Sequence, residues 1–305
     1  LFNFIENFLN KTNGMKNWIL VGTFFCLWLA TNFSSSIQSY FAYTLILTFG
    51  ILHGANDINI MLRESSASTK KKAFWKNLGL YLITIALILG LFLVHPLSAL
   101  ALFVLFSGFH FGEQHFKKKI LKTGLWANAL YTLYGTTILT MIFFAKAQEV
   151  APIIAQLTHT QIAPSLFEYA FLFFLTATGL LYATLYMQKN INAHTIKEAF
   201  YLVVLFVVFK TANLLWGFCI YFVLWHSVGS IRDQLQFLYG KVDLKALKRY
   251  VKACFPYWLV SILALAVVYH FFRHNDTLLI SVLLYTLAAI TFPHIIVMSR
   301  LEKKS

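Results

Sequence analysis

SYFAYTLILTFGILHGANDINIML, residues 39–62, is long enough to cross a bilayer as one helix, and its one acidic side chain, Asp57, follows His53 by four residues. A spanning helix needs about 20 mostly apolar residues. An ionisable side chain at that depth is costly and normally faces a cavity, a charge partner or a metal. The stretch therefore predicts a membrane helix with a buried site on it. The pattern recurs in His110-Phe-Gly-Glu-Gln114 and in Trp225-His226-Ser-Val-Gly-Ser230, each inside an apolar run of helix length.

Working outward, the 305-residue chain is 59% hydrophobic and only 12% charged, with a mean hydropathy of +0.69. A soluble globular domain carries about 25% charged residues. We read ten spans, at 17–33, 39–62, 75–94, 97–115, 124–145, 165–187, 195–211, 213–236, 253–272 and 276–299. The expected fold is an all-α polytopic bundle of about ten transmembrane helices, one domain over residues 1–305. Residues 148–164 are too long and polar for a tight turn and read as a surface loop or a short interfacial helix. The first apolar run is followed by many others, so it reads as a retained span rather than a cleaved signal.

The formal net charge of +14 would suit nucleic acid, but its placement argues against that partner. With ten spans, 22 of the 25 Lys and Arg residues fall on one side, leaving only Lys146, Lys210 and Arg273 on the other. The positive-inside rule then puts both termini in the cytoplasm, with the chain in the cell's inner (plasma) membrane. Cys26, Cys219 and Cys254 lie far apart in apolar surroundings and read as packing residues, without a CxxC pair.

Even-numbered spans run in the same direction. His53 lies 14 residues into span two, His110 13 into span four and His226 13 into span eight. At about 1.5 Å per residue, the three imidazoles share one level. His294, 18 residues into span ten, lies about one turn deeper. Imidazoles meeting from several helices point to a transition-metal site; the bland alternative is separate histidines, each hydrogen-bonded in its own pocket. Metal-bound histidine usually donates its other N–H to a carboxylate or carbonyl, and Asp57 and Gln114 stand one turn after His53 and His110. His115 follows His110 by five residues, poor spacing for the same face, and is a weaker ligand or supporting group. His95, His159, His194, His270 and His274 read as loop or interfacial residues. Phe109, Phe111, Trp216, Tyr221, Phe222 and Trp225 flank the histidines and are candidates to line a tunnel for a long apolar substrate.

With His53-Gly-Ala-Asn-Asp57, His110-Phe-Gly112, Tyr221-Phe222 through His226-Ser227, and Pro293-His294 in that order, the chain resembles the Brp/Blh family of membrane-embedded bacterial β-carotene 15,15'-dioxygenases. The resemblance implies a non-haem Fe(II) enzyme that cleaves the central double bond of β-carotene with O2 to give retinal. It carries the iron ligands onto His53, His110 and His226. A further family histidine, one turn after the third, corresponds here to Ser230, with His294 or His115 as possible replacements. Asn56, Asp57, Gln114 and Ser230 are then orienting groups. A retinal-using rhodopsin is the partner such a product would imply. The competing readings are an iron enzyme acting on another carotenoid or lipid, a haem protein, and a non-catalytic carotenoid or metal binder or transporter. A transporter would be expected to show internal repeats and broken helices in matching positions.

Overall fold

The computed structural model describes residues 12–63, 69–272, 274 and 276–302. Among these residues, eleven helices follow one another: α1 Thr12–Asn32, α2 Ser35–Leu62, α3 Lys70–Val94, α4 Pro96–Lys119, α5 Leu125–Ala145, α6 Ala147–Thr158, α7 Pro164–Met187, α8 Thr195–Thr211, α9 Leu214–Tyr239, α10 Leu244–Phe272 and α11 Asp276–Glu302. Seven of them, α2, α3, α4, α5, α7, α9 and α10, are long and apolar enough to cross a membrane, as in a multi-pass membrane protein. Each of the ten expected spans falls on a helix, and the polar interval 148–164 contains α6. Lys11, Arg273, Lys303 and Lys304, which enter the charge asymmetry, lie outside the described residues.

The helix ends follow local chemistry. Pro96 and Pro164 open α4 and α7 at positions whose N–H has no intrahelical partner. Asn213 caps α9, its side chain accepting from the Trp216 N–H at 2.7 Å. This cap makes residues 212–213 a true break between α8 and α9. Gly240, at φ +70°, closes α9 in the left-handed conformation, and Asp243 accepts from the Ala246 N–H at 2.6 Å to start α10. That bond, with Lys241 beside it, holds the Asp243 carboxyl below its ordinary range.

The chain divides into two compact units. The first comprises residues up to Cys26, Tyr40–Leu91 and Phe222 onward; the second comprises Leu27–Ser39 and Phe92–Tyr221. In the second unit, α4 and α5 meet backbone to backbone. A Cβ at Gly112 would land on the Tyr131 carbonyl, and one at Gly108 on Thr136. Small residues four apart permit such contact where lipid offers no hydrophobic drive. A Thr137–Thr178 hydroxyl bond of 2.8 Å links α5 to α7.

In the first unit, Ile231 and Leu235 of α9 pack on Ala246, Tyr250 and Cys254 of α10. Ile60 of α2 packs on Val297 and Met298 of α11. These contacts gather α2, α9, α10 and α11, three of which carry the site histidines. By contrast, α3 and α10 leave most of their apolar length uncovered, as lipid-facing helices do. All three cysteines are buried and free, in keeping with a packing role.

Candidate metal centre

His53, His226 and His294 converge in the first unit. Each offers one ligand atom, these atoms all lie within 4.8 Å of one another, and all three side chains are buried. The rings meet edge to face, with His53 5.2 Å from His226 and 4.9 Å from His294, centroid to centroid.

Local irregularity in the helices accompanies this convergence. A π turn at Ile46–Gly50 ends one residue before the short α-helical turn that carries His53, and a second π turn, Ile220–Ser227, carries His226. Such turns re-aim side chains and cluster at functional sites. Gly50 leaves room for Phe222, whose ring would lie 2.9 Å from a Cβ there. Phe222 then stacks on His226 at 5.7 Å and meets His53 edge to face at 5.4 Å.

The sequence placed Asp57 behind His53, but the structure pairs it with another histidine. The helix breaks at Ala55–Asn56, so the simple one-turn relation fails. Asp57 is buried, and its Oδ1 lies 2.8 Å from Nδ1 of His294. Its Oδ2 accepts from the Tyr81 hydroxyl at 3.0 Å. A carboxylate only accepts, so Nδ1 of His294 carries the proton and Nε2 keeps its lone pair.

Ser227 takes the orienting position beside His53. Its hydroxyl donates to the Phe222 carbonyl at 2.8 Å and lies 3.2 Å from His53 Nδ1. The single hydroxyl hydrogen is used on the carbonyl, and the His53 ring also hydrogen-bonds the backbone at Gly50 and Phe49.

His294 is the member whose expected depth differed. Residue counts from helix starts do not fix the level, since His226 of the same cluster lies 12 residues into α9. Helix α2 begins at Ser35, four residues before the expected start, so His53 lies 18 residues into its helix, as His294 does from Asp276.

Ser230, one turn after His226, is fully buried and accepts from Gln234 Nε2 at 3.2 Å. Gln234 also donates to the His53 carbonyl at 2.9 Å, and its Oε1 accepts from the Tyr250 hydroxyl at 2.9 Å. Asn56 is fully buried at the α2 break and accepts from Asn59 at 2.7 Å. Sequence reasoning quoted Ser227 beside His226 but gave it no role, and it missed Tyr81, Gln234 and Tyr250, common residue types without a local motif.

The remaining candidates divide between the units. Trp225 donates its indole N–H to Thr23 of α1 at 3.0 Å. His110 is buried on α4 of the second unit, where Phe111 meets Tyr221 edge-on at 5.4 Å and Phe109 meets Tyr131 at 6.2 Å. Trp216 is buried there, and Gln114 is half-buried. His115 lies in a different cluster of that unit: its Nε2 is 2.6 Å from Glu198 and 2.7 Å from Lys119 Nζ, and its ring stacks on Tyr134.

The donor set fits a transition metal. Two imidazole nitrogens about 2.1 Å from one ion lie at most about 4.2 Å apart. At tetrahedral angles they lie about 3.4 Å apart, so a spread of up to 4.8 Å needs the rings to close by up to about an ångström or somewhat more as an ion binds. A family model described as Beta-carotene 15,15'-dioxygenase matches residues 44–302, a range that includes all three histidines. No curated protein and no solved structure matches the chain.

Proposed function

We propose a role for the histidine cluster from the premise that the chain belongs to the β-carotene 15,15'-dioxygenase family. It is an enzyme of that family, with β-carotene and O2 as the substrates the family implies. The metal that we assign to His53, His226 and His294 is Fe(II). The carrying observation is that three buried imidazoles from α2, α9 and α11 bring their ligand atoms within 4.8 Å of one another. For His110 as a further ligand, the support is its depth read from the sequence and the resemblance.

Iron, when bound, supplies the activation of O2, which needs an open coordination position. The reaction breaks one C=C bond, and each half of the polyene gains one oxygen atom as an aldehyde. This chain's residues hold and orient. Asp57 orients the His294 ring, and Ser227 with the backbone at Phe49 and Gly50 orients the His53 ring. Phe222, against His53 and His226, offers an apolar wall to the polyene. Positioning matters more than acid–base groups for selecting one bond of a symmetric substrate. The other aromatic candidates, Phe109, Phe111, Trp216, Tyr221 and Trp225, are supported as tunnel residues by their spacing around the histidines.

We further propose ten crossings, both termini in the cytoplasm and residence in the plasma membrane as one transmembrane domain, on the strength of the basic-loop asymmetry. A bilayer location lets an apolar polyene enter laterally without crossing water. The test is expression in a β-carotene-accumulating bacterium, with retinal followed by chromatography. Retinal formed by the wild type and lost in His226→Ala supports the reading. Unbleached carotene beside folded, iron-loaded protein overturns β-carotene as the substrate.

A further inference from the structure

We propose that Tyr81, on α3, is a positioning residue for His294, acting through Asp57. The inference rests on reading the histidine cluster as a metal centre. Three helices contribute to the chain of contacts: the phenol from α3, the carboxylate from α2 and the imidazole from α11.

Tyr81 lies in an apolar helix long enough to cross a membrane, where a phenol hydroxyl needs a partner. Its partner is Asp57 Oδ2 at 3.0 Å, while Oδ1 of the same carboxylate lies 2.8 Å from His294 Nδ1. Asp57 is only 2% exposed, so water contributes little to its satisfaction. A carboxylate held at one oxygen can still turn about its Cβ–Cγ bond. The Tyr81 hydroxyl fixes the second oxygen, and with it the plane in which His294 donates.

This fixes the imidazole in two respects. Its proton stays on Nδ1, and its ring plane is set relative to His53 and His226. Partners one step behind a metal ligand typically change affinity by about 10- to 100-fold. Tyr81 stands one step further back, so its removal should cost roughly three- to tenfold in metal affinity. Tyr81→Phe removes only the hydroxyl and keeps the ring that packs in α3.

The experiment uses the purified full-length chain in detergent, with Fe(II) affinity measured by chelator competition and Co(II) as a spectroscopic probe. The variants are His226→Ala, Tyr81→Phe, Asp57→Ala and the Asp57→Ala/Tyr81→Phe double. Tyr81→Phe should weaken Fe(II) binding by the factor above, shift the Co(II) d–d bands and cost nothing further once Asp57 is gone. Wild-type affinity and spectrum in Tyr81→Phe would overturn the proposal. So would an equal loss in the Asp57→Ala background, since Tyr81 would then act independently of Asp57. If the wild type binds neither metal, or His226→Ala keeps both, the metal-centre reading itself falls and the proposal with it.

Discussion

Both units set a histidine against a buried carboxylate, but the two pairs use different ring nitrogens. In the first unit, Asp57 meets His294 at Nδ1 and receives a phenol on its other oxygen. In the second, Glu198 meets His115 at Nε2, and its other oxygen takes the Lys119 ammonium at 2.7 Å. The Lys119 charge balances the Glu198 charge, and the outer nitrogen of His115 is already engaged. His294 is held by Asp57 at Nδ1 and meets His53 and His226 in one buried cluster. A buried histidine beside a carboxylate is therefore not enough to mark a metal ligand; the nitrogen that the carboxylate occupies, and the convergence of other imidazoles, separate a ligand from an ion pair.

The largest expected contrast between the two regions is in metal content. His226→Ala and His294→Ala should each lose bound iron and retinal formation, whereas His115→Ala should keep its iron. Metal analysis of the purified proteins checks this, and iron loss in His115→Ala would break the comparison. Next comes Asp57→Asn. An amide can present N–H to His294 Nδ1 and favour the wrong tautomer, so Fe(II) affinity should fall by about 10- to 100-fold with the fold retained. Chelator titration reads the change.

A smaller effect of a different kind is expected at Lys119→Met, which leaves Glu198 buried with one partner fewer. Stability should drop by about 1–3 kcal/mol, visible as a lower unfolding temperature in detergent, while iron content stays at the wild-type level. The smallest is Ser230→Ala. It removes one acceptor from Gln234, which keeps its bonds to the His53 carbonyl and Tyr250. Stability should change by about 1 kcal/mol or less, and a loss of iron there would make Ser230 part of the centre.

The helices were largely legible in the sequence, because apolar length alone marks a membrane span. His53 and His226 were legible for the same reason, as polar side chains inside hydrocarbon-length runs. His294 was harder to place, since depth counted from helix starts is a poor guide: in the cluster it and His53 lie 18 residues into their helices and His226 lies 12 into its own. Asp57 was found as a supporting carboxylate but assigned to its neighbour in sequence; its partner lies 237 residues away, beyond any local pattern. Tyr81 left no trace at all, being one of 15 tyrosines in the chain. Only helix packing shows which tyrosine meets a carboxylate.

The most direct measurement is the iron content of purified, folded His294→Ala beside the wild type and His110→Ala, with helicity checked by circular dichroism. The account predicts stoichiometric iron in the wild type and little or none in His294→Ala at unchanged helicity. Full iron in His294→Ala, with iron lost from His110→Ala, would contradict the assignment of His294 to the centre.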